Sequence, residues 1–251
     1  MKLADSQSAT ESIWQWVESC AYLADLSVWS EVTAGSASVL DLGCGIGRVS
    51  RHLAAEGRSV LGVDLDPVMI ADLNRLAVEQ QHAAIPGDVT DLARLDLGRD
   101  RFETIIAPQQ LIHILGGHAR RQQLLDGVKR RLKPGGTFAF AISELVLPQT
   151  QELEILPDLR ELDGWVYASR PVAVEADGET LTIVRLRQVV APDGSLEENR
   201  DSITLDLIDR ESIAEELHLA GLYPARLIEI PETERHIASL VVLARHSADI
   251  S

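Results

Sequence analysis

Three carboxylates and three glycines are spaced so that they could hold a nucleoside that carries no phosphate. The apolar run Val39-Leu40-Asp41-Leu42 leads into Gly43-Cys44-Gly45-Ile46-Gly47. Glycines at alternate positions let a ligand approach the backbone, and a helix starting after them offers free N–H groups. The plainer reading of the same glycines is a tight turn that needs positive φ. Asp64 closes the next apolar run, residues 59–64, where a carboxylate can accept both hydroxyls of a ribose diol. A solvated, helix-capping acid is the alternative, which fits neighbouring Asp66 better. Asp88 could accept a hydrogen bond from an adenine amino group, with Leu65 and Val89 sandwiching the ring. It could also be a simple turn acid after Pro86-Gly87. A dinucleotide fingerprint would need Gly or Ala where Arg48 stands, and no Gly-Lys-Ser/Thr follows to make a phosphate loop. An acid beside the turn suits a ligand with a positive pole better than a pyrophosphate.

The elements that must position these residues alternate in type. Ile13, Trp16, Val17, Cys20, Ala21 and Ala24 have helical spacing and predict one helix from Glu11 to about Leu26. Strand 38–42 is followed by a helix with Val49, Leu53 and Ala54 inward, ended by Gly57. Strand 59–64 is followed by Asp66-Pro67, an N-cap and first-turn proline, and a helix with Met69, Ile70, Leu73, Leu76 and Ala77 inward. Residues 83–88 read as a third strand whose proline favours a sheet edge. Residues 102–107 form a fourth, and Leu124, Leu125, Val128 and Leu132 the helical stripe after it. Lys133-Pro134-Gly135-Gly136 is a turn before a fifth strand, 137–142. This alternation predicts an α/β fold with a parallel sheet covered on both faces. Between about Leu147 and Leu207 the pattern changes to alternating runs joined by Asp177-Gly178 and Asp193-Gly194, which are hairpin signals. A helix through Ile213, Leu217 and Ala220, closed by Gly221, and strands 225–230 and 239–244 finish the chain.

Composition limits the function classes. The chain has 251 residues and a net charge of -16, with 39 acids against 23 bases, so its field repels phosphate backbones. Nucleic acid is therefore not the expected substrate, and a small molecule is. No apolar run of 18 or more residues predicts a membrane span, and the polar start is unlike a signal peptide. Two cysteines, Cys20 and Cys44, frame neither a disulfide scaffold nor a metal site, and the cytoplasm is the expected compartment. Oligomeric state is left open, a homodimer being one option.

Taken together, the motifs resemble those of class I S-adenosylmethionine-dependent methyltransferases. Residues 39–47 look like the family's first motif, 61–66 like its ribose motif, Gly87-Asp88-Val89 like its adenine motif, and Phe102-Glu103-Thr104-Ile105-Ile106-Ala107 like its fourth-strand motif. Glu103 stands where Asp is commoner. Leu132-Lys133-Pro134-Gly135-Gly136 matches the turn before the fifth strand, and Ala220-Gly221-Leu222 resembles a late Ala-Gly-Phe turn. The resemblance covers roughly residues 36–145 and 205–245. It implies a Rossmann-like seven-stranded methyltransferase sheet and S-adenosyl-L-methionine as cofactor. Asp41, Gly43, Cys44, Gly45 and Gly47 would hold its methionine part, Asp64, Leu65, Asp88 and Val89 its adenosine, and Ala107 its amino group. The implied organisation is an N-terminal helical cap (1–35), the cofactor domain (36–146 and 205–251) and a β-rich lid (147–204) similar to those of glycine and amino-sugar N-methyltransferases. The implied reaction is in-line methyl transfer to nitrogen or oxygen of a small molecule. The alternative keeps the cofactor but catalyses a non-methylating step such as cyclisation.

His113, after the fourth strand, is the candidate general base; a histidine packed between Ile112 and Ile114 is the structural alternative. Gln109 and Gln110 could orient the acceptor or be exposed loop residues. His118 beside Gly116-Gly117 reads as surface. Trp14, Trp16, Tyr22 and Trp29 precede the first strand and could roof an acceptor pocket or pack an amphipathic helix. Trp165, Tyr167, Arg170, Arg185 and Arg187 could contact substrate or form strand faces.

Overall fold

The computed structural model describes residues 11–76, 82–144, 150–152, 155–233 and 236–246. The first ten residues of the expected cap, Ala77 and the start of the insertion at Leu147 lie outside them. In chain order the elements begin α1 (Glu11–Glu18), α2 (Leu26–Val32), β1 (Val39–Leu42), α3 (Arg48–Ala55), β2 (Val60–Asp64), α4 (Pro67–Leu76) and β3 (His82–Pro86). Next come β4 (Phe102–Ala107), α5 (Leu111–Ile114), α6 (His118–Arg131), β5 (Leu132–Ile142), β6 (Thr150–Glu152), β7 (Asp158–Leu162) and β8 (Trp165–Ala176). The chain continues with β9 (Thr180–Val190), β10 (Leu196–Asp206), α7 (Arg210–Leu219), β11 (Leu222–Ile230) and β12 (Ser239–His246). Two compact units result: Tyr22–Glu144 with Ile208–Ser251, and Met1–Ala21 with Leu145–Leu207. No helix among the described residues is long and apolar enough to cross a membrane.

The larger unit holds a seven-stranded sheet in the order β11-β12-β5-β4-β1-β2-β3. β1 to β5 are mutually parallel, as their helical crossovers require, and the strand ending in Pro86 lies at the edge. β12 lies outside the strand-helix alternation from which the parallel arrangement is expected. It is joined to β11 without a helix and runs antiparallel to both its neighbours. Successive side chains of a strand point to opposite faces. Leu40 and Leu42 accordingly pack with Phe138, Phe140 and Leu124, whereas Val39 packs with Val49, Leu53 and Trp29 on the other face. Alternation puts Asp41 on the Val39 side, the face that α3 covers.

Two element boundaries differ from expectation by five residues or more. The helix expected over 11–26 stops at Glu18, and a separate helix, α2, starts at Leu26. Ala21 and Ala24 are exposed, so the apolar stripe fails there. Buried Asp25 instead accepts Trp29 Nε1–H at 2.7 Å and fixes the new helix start. β5 begins at Leu132, five residues early, because the Lys133–Gly136 segment runs along β4 with a register shift between Phe102 and Thr104.

The smaller unit is a five-stranded antiparallel sheet, β10-β9-β8-β6 with β7 also paired to β8. Its hairpins turn at Asp177-Gly178 and Asp193-Gly194, where the glycines have φ of +96° and +85°. Ile13, Trp14 and Val17 of α1 pack against Tyr167 of β8.

Candidate functional site

β1 and β4 are sheet neighbours although β2 and β3 intervene in sequence, so the strand order reverses between them. Open α/β sheets bind ligands beyond the carboxyl ends of their strands at such a switch point. Here the β1 end carries Gly43–Gly47 and the β4 end Ala107–Gln110.

Gly43, Gly45 and Gly47 have φ of +66°, +52° and +82°. A Cβ on Gly47 would fall 2.3 Å from Leu73 Cδ1, and one on Gly43 would fall 2.9 Å from Leu111 Cδ1. The turn's own geometry therefore requires glycine at all three positions, and their spacing alone does not argue for a ligand. The neighbouring acids carry that argument. Cys44 is buried, and its side chain packs over Gly62, where a Cβ would meet its Sγ at 2.6 Å. Burial, and then the charge of Asp41, push its thiol pKa well above the usual range.

Asp64 braces the turn. Its Oδ2 accepts the Gly45 N–H at 2.8 Å and its Oδ1 the Asp66 N–H at 3.0 Å. Each oxygen retains a second lone pair, the requirement for receiving a diol. Asp66 caps α4 by accepting the Val68 N–H at 2.7 Å. Leu65 is 69% exposed beside this acid, a large apolar surface left to solvent.

Asp41 is 1% exposed. Its Oδ2 accepts the Ser50 hydroxyl at 2.6 Å, and its Oδ1 is buried with no hydrogen-bond partner. Burial raises its pKa to about 7, against the opposing effects of the Ser50 hydrogen bond and the Arg48 charge. Arg48 does not neutralise it, since its two terminal guanidinium nitrogens are engaged by Asp25 at 2.6 and 2.7 Å, and Nη1 also donates to the Tyr22 carbonyl. A buried carboxylate with an open oxygen is costly unless a donor or cation completes it.

Asp88 caps the short 3-10 turn Val89–Asp91. Its Oδ1 accepts the Thr90 N–H and hydroxyl, and its Oδ2 meets Arg120 Nη2 at 3.2 Å. Burial would raise its pKa, but Thr90 and Arg120 outweigh it and hold the carboxyl below the ordinary value. Val89 is buried in the core and Ala107 is fully buried at the end of β4. Gln109 is half-buried with φ of +55°, and the Gln110 carbonyl accepts the His113 N–H at 2.9 Å.

His113 is 1% exposed, and its Nε2 accepts the Ser143 N–H at 3.0 Å. A nitrogen that holds a backbone donor cannot take an acceptor's proton without losing that bond. His118 is exposed and lies 3.0 Å from Glu216. All these residues belong to the larger unit. Trp14, Trp165, Tyr167 and Arg185 belong to the smaller one. Trp14 and Tyr167 meet edge-to-face at 6.1 Å, and Trp165 packs against the same cluster. Arg185 Nε donates to Ser169 Oγ at 2.9 Å. Trp29, expected near a pocket roof, is fully buried in the larger unit's core. Sequence reasoning missed Ser50, Asp25, Thr90 and Arg120. For Ser50 a signal existed: a hydroxyl on the buried stripe Val49, Ser50, Leu53, Ala54 of α3.

Residues 39–136 match the family model described as a methyltransferase domain. Over 115 residues (44% of this chain and 37% of the relative), the chain is 34% identical to the S-adenosyl-L-methionine-dependent Diels-Alderase iccD of Talaromyces variabilis. Over 111 residues it is 32% identical to the ubiquinone biosynthesis O-methyltransferase of Coxiella burnetii, covering 44% of this chain and 45% of the relative. The matches span less than half the length of these curated relatives. Among solved structures, the sugar N-methyltransferase KedS8 from Streptoalloteichus superposes with a TM-score of 0.70 at 21% identity, covering 98% of this chain and 96% of its own. The likeness to a methyltransferase domain thus lies in residues 39–136, and the superposition on KedS8 shows that the fold is shared along nearly the whole chain.

Proposed function

We propose that this chain transfers a methyl group from S-adenosylmethionine to nitrogen or oxygen of a small molecule by in-line displacement. The observation that carries the reading is Asp41 Oδ1, a buried carboxylate oxygen without a partner at the switch point of a methyltransferase domain. It fits the ammonium of the cofactor's methionine part. Asp64, already aligned by the glycine turn, takes the ribose diol. Asp88 takes the adenine amino group, with Leu65 and Val89 on the ring, and the β4 end at Ala107 completes the methionine seat. The bound cofactor supplies a methyl on a positively charged sulfur that leaves as a neutral thioether. Alignment and exclusion of water are then the protein's main tasks.

Gln109 is assigned to orienting the acceptor through its amide, and His113 to holding the end of β5 at Ser143 rather than to abstracting a proton. Trp14, Trp165, Tyr167 and Arg185 are assigned to the smaller unit's own packing and ion pairs. The chain's acidity favours small-molecule over nucleic-acid acceptors, and Cys20 and Cys44, neither of them in a disulfide, suit a reducing cytoplasm. Relatives named for O- and N-methylation support keeping both acceptor atoms open.

The test is turnover with cofactor and a panel of amines, amino sugars and phenols. S-Adenosylhomocysteine should accumulate with a methylated product; a cofactor-saturated protein that yields none across the panel would refute the reading. The relative named as a Diels-Alderase motivates a second reading, a cofactor-bound enzyme that does not methylate. Product formation with the cofactor recovered intact would select it.

A further inference from the structure

Among the described residues, three buried side-chain oxygens have no hydrogen-bond partner: Ser12 Oγ, Asp41 Oδ1 and Asp72 Oδ2. Asp41 is the one at the sheet's switch point, and its surroundings explain why one oxygen is bound and the other open. α3 lays Val49, Ser50 and Leu53 on the β1 face that Asp41 shares with Val39. The buried Ser50 hydroxyl donates to Oδ2 at 2.6 Å, which fixes the carboxyl's rotation and leaves Oδ1 without a donor. The charged and titratable groups acting on Asp41 are Arg48 of α3, Asp64 at the end of β2 and the Cys44 thiol of the glycine turn. Arg48 is held bidentately by Asp25, and Asp64 carries the same charge as an ionised Asp41, so among the described residues acting on Asp41 no uncommitted cation neutralises it.

We propose that Asp41 exchanges a proton for the cofactor's ammonium, neutral before binding and ionised after it, and that Ser50 is the positioning residue that decides which oxygen stays open. The inference rests on the cofactor assignment above. On binding, the Asp41 carboxyl O–H bond breaks and its proton passes to solvent. The carboxylate then pairs with the ammonium, which keeps its own protons. Burial has already moved the ionisation of Asp41 to about 7, so the exchange falls in the neutral range.

The experiment is calorimetry of the full chain with S-adenosylmethionine from pH 5.5 to 8.5, in paired buffers of different ionisation enthalpy. Proton release should approach one per site at pH 6 and fade by pH 8.5. The dissociation constant should tighten about tenfold per pH unit below 7 and level off above it. Ser50→Ala removes the donor that favours the carboxylate, so the midpoint should move to higher pH while affinity at pH 8.5 nearly recovers. Ser50→Thr keeps the hydroxyl and should restore the midpoint. Asp41→Asn should bind weakly with no pH dependence. Flat wild-type affinity without proton release, or a Ser50→Ala profile that overlays the wild type, overturns the proposal and leaves the cofactor assignment standing. Absence of binding at every pH overturns that assignment itself. Carbon-13 titration of Asp41 in the free chain is independent of the cofactor: an ordinary carboxylate midpoint there overturns the proton exchange.

Discussion

Asp41 and Arg187 are both buried ionisable groups, each set in one of the chain's two units, and they are finished to different degrees. Arg187, with 6% of its side chain exposed, meets Glu18 at 2.8 Å, Asp201 at 3.0 Å and Glu11 at 3.2 Å, and lies over the Trp14 ring at 5.1 Å. Its neighbours satisfy it within the smaller unit. Asp41 has the Ser50 hydroxyl on one oxygen and, among the described residues, no hydrogen-bond partner on the other and no counter-ion. A charge completed by its own fold works for the fold. One left incomplete costs stability, and a ligand can repay it.

The largest expected effect tests that cost. Asp ordinarily ionises near 3.9, whereas Asp41 in the folded chain does so at about 7. Between those values the unfolded chain has lost the proton that the folded chain keeps. The stabilising contribution is thus fully present below about pH 4 and is lost as pH rises through 7, by about 4 kcal/mol in total. Chemical unfolding at pH 4.5, 6 and 8 should show this decline in the cofactor-free wild type and a flatter curve in Asp41→Asn. Equal slopes would mean that Asp41 ionises normally.

Arg187→Met should act oppositely. It removes the nearer of Glu18's two guanidinium partners but leaves Arg185 at 3.3 Å and the Ser169 hydroxyl at 2.7 Å, with an expected loss of about 2 kcal/mol, the order for a hydrogen bond to a charged group. Denaturant titration reads the loss. Cofactor affinity of the folded fraction should stay within about twofold of wild type; a larger drop would place Arg187 in the binding site and break the comparison.

What the sequence made legible follows from the range of the interactions involved. The glycine turn, Asp64 at the end of β2, the Pro67 helix start and the Asp-Gly hairpins depend on a few consecutive residues, and each stands where local chemistry puts it. Asp25–Arg48, Arg120–Asp88 and Ser50–Asp41 join elements separated by 23, 32 and 9 positions, and no local pattern announces them. The failure of the 11–26 helix has the same origin. Its period continues in sequence past Glu18, but Asp25 is claimed by Trp29 and Arg48 and the chain must turn to deliver it. His113 shows a further limit: residue type and position suggested a base, whereas the direction of its Nε2, toward Ser143, is a tertiary fact.

The smallest effect concerns Gln109 and Asp163, the two non-glycine residues with positive φ among those described, at +55° and +52°. Asp163 stands with Gly164, φ +81°, in a two-residue turn between paired Leu162 and Trp165, the setting in which Asp-Gly is favoured. Its conformation has a local cause. Gln109 sits between Pro108 and Gln110 at the end of a parallel strand, where no hairpin demands a left-handed residue and glutamine does not favour one. Strain of this kind persists where the surrounding fold imposes it, and it gathers at functional sites. Gln109→Gly should therefore stabilise the chain by up to about 1 kcal/mol, whereas Asp163→Gly should be nearly neutral. Thermal unfolding separates the two. If Gln109 orients the acceptor, its glycine variant should also turn over more slowly with the cofactor dissociation constant unchanged. A gain in stability with full turnover would return Gln109 to the loop.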